Sequence, residues 1–131
     1  MRFPLAAPLV LIVDDEPDQV EMYCLGLESV GFRVVSAFTG TDGMRSAREL
    51  RPHAIVLDLR LPDMSGWEVC ATLKRETTTA TIPIVILTAA AMPLLDEQAK
   101  AAGCAAFLLK PCFPDELARH LRAVIAPPLE A

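Results

Sequence analysis

The sequence predicts an α/β domain built on a doubly wound parallel sheet. Short apolar runs alternate with helix-patterned segments five times over. These runs are almost wholly apolar, the pattern of strands covered on both faces. Almost every polar residue that interrupts them stands at a carboxyl end.

Leu9 to Val13 is the first strand. Pro17 suits the first turn of a helix, with Asp15 or Glu16 near its cap. Val20, Tyr23, Cys24, Leu27 and Val30 recur at helical spacing, and Gly31 supplies a stop. Arg33 to Ala37 is a second strand. Thr39 caps a helix carrying Met44, Ala47 and Leu50, which ends before Pro52. Ile55 to Asp58 is the third strand, and Ser65 caps a third helix with Trp67, Cys70, Ala71 and Leu73 on its apolar side.

A polar loop, Thr77 to Thr81, leads to Pro83 and the fourth strand, Ile84 to Leu87. A fourth helix runs roughly from Ala91 to Ala102, where Gly103 stops it. Ala105 to Leu109 is the fifth strand. Pro114 or Asp115 opens a last helix with Leu117, Leu121, Val124 and Ile125 on one face, broken by Pro127-Pro128. Residues 1–131 read as a single domain, its core about 9–126, with short flexible tails at both ends.

Composition narrows the function. Hydrophobic residues make up 53% of the 131 and charged residues 22%, which argues against disorder. The formal net charge of −5 and the lack of a basic stripe argue against nucleic acid as a partner of this domain. The four cysteines, Cys24, Cys70, Cys104 and Cys112, show no CxxC or metal-ligand spacing and read as free thiols, buried or half-buried in a reducing compartment. Leu9 to Val13 ends in acids rather than a cleavage site, and no run approaches the roughly 18 apolar residues of a membrane span. The expectation is a cytoplasmic protein with no membrane partner.

In open parallel sheets ligands bind beyond the carboxyl ends of the strands. There the sequence puts Asp14-Asp15-Glu16 after strand one, Asp58 after strand three, Thr88 after strand four and Lys110 after strand five. Taken singly, each has an ordinary explanation as a cap or a solvated charge. Together they describe a site. Two carboxylates ~5 Å apart repel by roughly 3 kcal/mol at an effective dielectric of ~20, so such acids shift one another's ionisation or collect a cation. All-oxygen donors favour Mg²⁺, with Mn²⁺ as a substitute. A metal, an ammonium and a hydroxyl around a carboxylate suit phosphoryl transfer, with the carboxylate as nucleophile.

Leu11-Ile12-Val13-Asp14-Asp15-Glu16-Pro17, Ile55 to Gly66 (IVLDLRLPDMSG), Leu87-Thr88-Ala89 and Phe107-Leu108-Leu109-Lys110-Pro111 resemble the response-regulator receiver domain of two-component signalling. The resemblance covers roughly Leu9 to Ala126, with the four motifs in the family's order and spacing. It implies a flavodoxin-like sheet in strand order 2-1-3-4-5 with five helices. It implies Asp58 as the phosphoacceptor, Asp58, Thr88 and Lys110 as the catalytic group, and Asp14, Asp15, Asp58 and the Arg60 backbone carbonyl as the Mg²⁺ site. Thr88 and Phe107 become the switch pair, Ala89 leaves room for the donor, and the Lys110-Pro111 bond is expected to be cis.

The partners so implied are a histidine kinase or histidine phosphotransfer protein, and a downstream protein partner or a removed output domain. The domain is expected as a monomer or a phosphorylation-dependent dimer, and not as an enzyme with a small-molecule product. Two features depart from the common pattern. Cys112-Phe113 follows the Lys-Pro pair where an aromatic is usual, which suggests a more exposed Cys112. Arg60 and Ala90 occupy positions that tune phosphoryl lifetime in the family. Met92, Leu94 and Leu95 are candidates for an apolar docking surface. Two other readings stay open: a phosphate-independent receiver-like interaction module, and a Mg²⁺-dependent aspartyl phosphatase of the haloacid-dehalogenase type. The second lacks a DxD pattern after the first strand and any cap insertion.

Overall fold

A computed structural model describes residues 7–90 and 95–125. Five parallel strands, β1 (Leu9–Val13), β2 (Arg33–Ala37), β3 (Ala54–Leu57), β4 (Ile84–Thr88) and β5 (Ala106–Leu109), form one sheet in the order β2-β1-β3-β4-β5. The helices are α1 (Pro17–Glu28), α2 (Gly40–Leu50), α3 (Gly66–Arg75), α4 (Leu95–Ala101) and α5 (Pro114–Val124). The register sets Val13 beside both Ala37 and Leu57, and Thr88 beside Leu109, so the carboxyl ends of β1, β3, β4 and β5 finish along one edge.

Alternation along the central strands divides the interior in two. Val10, Ile12, Val56, Val85 and Leu87 face α1 and α5, meeting Tyr23, Leu27, Leu117 and Leu121. Leu11, Val13, Ile55, Leu57 and Ile86 face the other way, onto Ala47, Val69, Cys70, Leu73 and Leu95. Strands β3 and β4 are buried at every position. Helices on both faces explain why these strands read as unbroken apolar runs.

Several boundaries and faces differ from the sequence reading. Helix α1 ends at Glu28, and Val30 is exposed in the turn before Gly31, which has φ of 102°. Leu50 is 48% exposed at the end of α2 instead of buried, because the helix needs only Gly40, Gly43 and Ala47 against the sheet. On α3, Ala71 faces solvent, and Val69 with Cys70 and Leu73 makes the buried stripe. Asp58 lies just beyond β3, although its N–H still donates to the Val13 carbonyl at 3.0 Å. Thr79, read as part of a polar loop, is fully buried with its hydroxyl donated to the Leu73 carbonyl at 2.7 Å.

Helix α4 is observed from Leu95, which is buried and so not a docking residue; Met92 and Leu94 lie outside the described residues, as does Pro127-Pro128. Cys112 is also corrected. It is 3% exposed, and the exposed residue is its neighbour Phe113. Among the described residues no helix is long and apolar enough to cross a membrane.

Candidate functional site at the carboxyl edge of the sheet

The strand ends converge as their register requires. Asp14 and Asp58 follow neighbouring strands and are both buried. Lys110 follows β5, with β4 between it and β3, and its side chain reaches back along the edge. Its Nζ donates to Asp14 Oδ2 at 2.7 Å and to Asp58 Oδ2 at 3.1 Å. A lysine stem is long enough to cross that gap, with its methylenes against the apolar edge and its charge at the acids.

The second oxygen of each acid is also engaged. Asp58 Oδ1 accepts from Thr88 Oγ1 at 2.9 Å and from the Arg60 N–H at 3.2 Å. Asp14 Oδ1 accepts from the Glu16 N–H at 3.0 Å. Thr88 is wholly buried, and its oxygen in turn accepts from the Ala90 N–H at 3.2 Å. Two buried acids beside one ammonium leave a surplus negative charge at this edge.

That charge acts back on the lysine. Burial alone lowers the Lys110 pKa, but the hydrogen bond to Asp14 and the charges of Asp14 and Asp58 outweigh it, and the pKa stands above the ordinary lysine value. Lys110 is therefore a permanent cation at neutral pH.

Asp58 opens onto a cavity of about 230 Å³, lined also by Asp15, Glu16, Arg60, Thr88 and Lys110 among others. A larger cavity of about 440 Å³ lies between Pro52, Ile82 and Ile125, at the opposite end of the strands. Asp15 and Glu16 are exposed at the rim of the smaller one. Among the described residues no three His, Cys, Asp or Glu side chains form a close metal-holding group. A hard cation that keeps several of its waters does not need one, and an oxygen-only lining of Asp15, Asp58 and the Arg60 backbone fits such an ion.

Two residues of the Ile55 to Gly66 motif shape the site without having been assigned a role from sequence. Asp63, in the loop after β3, binds the start of α2. Its carboxylate accepts from the Gly40 N–H at 2.7 Å, the Thr41 N–H at 3.0 Å and the Thr41 hydroxyl at 2.7 Å. Those bonds, the Thr41 hydroxyl foremost, hold the Asp63 pKa down to about 2. Gly66 begins α3 directly behind the site. A Cβ there would lie 2.3 Å from the Asp58 carbonyl oxygen and 2.8 Å from Leu59 Cα. Its proximity to Pro62-Asp63 was visible in the sequence, but the contact with Asp58 depends on the fold of the loop.

Behind the opposite wall, the buried Tyr23 hydroxyl donates to the Cys112 carbonyl at 2.8 Å, tying α1 to the β5–α5 loop. The Lys110-Pro111 peptide in that loop is cis. Phe107 on β5 is half-buried against the core on the α4 side.

Residues 10–122 match the response regulator receiver domain. The chain belongs to that family, the phosphoacceptor signalling module of two-component systems. It is 36% identical over 118 residues to the DNA-binding dual master transcriptional regulator RpaA of Synechocystis, covering 90% of this chain and 49% of that protein. It is 37% identical over 117 residues to the transcriptional regulatory protein KdpE of Mycobacterium tuberculosis, covering 89% and 50%. The receiver domain of the sensor histidine kinase PA1611 from Pseudomonas aeruginosa superposes with a TM-score of 0.83 at 32% identity, covering 92% of this receiver and 98% of that chain. That structure holds a magnesium ion in its active-site cleft.

This receiver spans about half the length of the curated relatives it matches. Their names correct one expectation. The acidic charge argues against nucleic acid as a partner of this domain, yet relatives that match it are named as DNA-binding regulators. The charge of the receiver does not speak for the proteins in which receivers occur.

Proposed function

We propose that Asp58 accepts a phosphoryl group from a phosphohistidine of a sensor kinase or phosphotransfer protein, within a single receiver domain formed by residues 1–131. The observation that supports this best is the pairing of Asp58 with the Lys110 ammonium on one oxygen and the Thr88 hydroxyl on the other, at the wall of an open cavity.

In this reading an Asp58 oxygen attacks phosphorus as the bond to the donor imidazole nitrogen breaks and returns its electron pair to the ring. Lys110 moves part of its charge from Asp58 to an oxygen of the incoming group, while Asp14 keeps the ammonium in place. Thr88 turns its hydroxyl from Asp58 Oδ1 to a second phosphoryl oxygen. The small side chain of exposed Ala89 leaves the cavity accessible to the donor. Asp15, Asp58 and the Arg60 carbonyl, with Asp14 acting through water, would hold Mg²⁺, which neutralises charge on the phosphoryl oxygens when bound. Movement of Thr88 frees space that half-buried Phe107 can enter, and the α4–β5–α5 surface changes with it. A downstream protein or an attached output segment, in the same cytoplasmic compartment, reads that surface, with or without dimerisation.

The test is incubation with acetyl phosphate and Mg²⁺, followed by intact mass measurement. One phosphoryl group should add to the parent chain, none in excess chelator, and none to Asp58→Ala. Uptake at the same site by Asp58→Ala overturns the assignment.

A further inference from the structure

Cys70 and Cys104 stand apart from the acidic site, on the face of the sheet covered by α2, α3 and α4. Cys70 lies on α3 and is fully buried. Cys104 follows Gly103 in the turn between α4 and β5 and is partly exposed. They are 34 positions apart in the chain, yet their Sγ atoms lie 3.7 Å apart. Cys70 Sγ also lies 3.4 Å from the Ala102 carbonyl, so both sulfurs sit against the same turn.

The surroundings favour a thiolate. Lys74, one turn along α3 from Cys70, donates its ammonium to the Ala80 and Ile82 carbonyls at 3.1 and 2.9 Å. Its stem passes 4.0 Å from the position a Cβ on Gly103 would take. The two thiols titrate as a pair: the hydrogen bond from Cys104 lowers the Cys70 pKa against the effect of burial, with the Lys74 charge assisting, and the same bond together with burial raises that of Cys104, so one thiolate is favoured. Cys24 and Cys112 differ. Burial pushes both thiols up, Cys112 to about 11, and neither meets another sulfur among the described residues.

We propose that Cys70 and Cys104 are a redox-active pair that a hydroperoxide converts to a disulfide, tethering α3 to the α4–β5 turn. One thiolate attacks a peroxide oxygen and the O–O bond breaks. Hydroxide leaves and is protonated to water, and the sulfur becomes a sulfenic acid. The second thiol attacks that sulfur and gives its proton to the departing hydroxide, which leaves as water. Two thiols and one hydrogen peroxide give one disulfide and two waters, with two electrons passing from sulfur to oxygen. For the bond to form, the sulfurs must close from 3.7 Å to about 2.0 Å. Cys104, Ala102 and Phe107 pack on the same core cluster, so the tether would restrain the segment that leads into β5.

The experiment treats the reduced, folded chain with hydrogen peroxide, blocks remaining thiols by alkylation and maps the peptides. Two of the four thiols should disappear, the mass should fall by two hydrogens, and one peptide pair should carry a Cys70–Cys104 link that dithiothreitol opens. Amide exchange across residues 102–106 should slow in the oxidised chain and recover on reduction. Cys104→Ser, at a partly exposed position, should keep the parent circular dichroism and lose the link, whereas Cys24→Ser should retain it. Four thiols surviving peroxide that fully oxidises glutathione, a link through Cys24 or Cys112, or a link only between two chains overturns the proposal.

Discussion

Lys110 donates to Asp14 at 2.7 Å, a shorter contact than the 3.1 Å it makes to Asp58. The lysine is therefore anchored on an acid other than the proposed phosphoacceptor. It can exchange its bond to Asp58 for one to a new anion and keep its place. The same arrangement makes Lys110 a structural cation, since among the described residues it alone bridges two buried carboxylates.

Removing that cation leaves both acids without it. Lys110→Met should destabilise the fold by about 3–5 kcal/mol, the range for breaking a buried ion pair from one side. Adding Asp58→Asn removes one of the two charges and should recover part of the loss. Urea midpoints of the two single variants and the double variant check this, and strict additivity would deny the coupling.

Asp63 should confer a pH-dependent share of stability. Its carboxyl is lowered from the ordinary 3.8 to about 2 in the folded chain. The folded state thus binds the proton less readily than the unfolded chain, and stability rises with pH across that interval. The contribution is complete above about pH 4 and is lost as pH falls through about 2. Asp63→Ala should lower the urea midpoint at pH 7, and its deficit against the parent should shrink between about pH 4 and pH 2. A deficit unchanged across that window would mean that the Asp63 charge is not what secures α2.

Gly66→Ala should damage site and fold together. The added Cβ would meet backbone, the Asp58 carbonyl and Leu59 Cα, rather than a side chain that can swing away. Overpacking of this kind costs about 1–3 kcal/mol. Thermal denaturation should show that loss, and phosphoryl uptake should fall with every acid, Lys110 and Thr88 still present.

Tyr23→Phe isolates a hydrogen bond. The hydroxyl satisfies the Cys112 carbonyl at a buried position, so its removal should cost about 1–3 kcal/mol. Uptake from acetyl phosphate should persist, because Tyr23 makes no hydrogen bond to Asp14, Asp58, Thr88 or Lys110. Chemical denaturation and intact mass on the same preparation separate the two effects.

The strands were legible because both faces of the sheet are covered. Ile55-Val56-Leu57 and Ile84 to Leu87 carry no polar residue to blur the pattern, and their ends named Asp58 and Thr88 directly. Helix faces were harder. The buried stripe of α2 is made of Gly40, Gly43 and Ala47, residues too small to announce a core position, and Leu50 drew the reading to the wrong place. Contacts between distant loops left no local trace. Asp63 to Thr41 and Tyr23 to Cys112 join positions 22 and 89 residues apart through groups that any turn or core can contain. The Cys70–Cys104 approach is of the same kind: two cysteines on separate elements announce nothing until the sheet order brings their elements together.

The bond from Lys110 to Asp14 spans 96 positions, nearly the length of the domain. A ribosome making this chain releases both acids long before their counter-ion. Until Lys110 emerges, β1 and β3 can lie side by side only with two carboxylates crowded at one apolar edge, a pairing that like charges oppose. The charge pairing at this edge is thus completed only when the last strand is available. A nascent chain halted before Lys110 would hold Asp14, Asp58 and Thr88 and lack the cation that pairs with both acids.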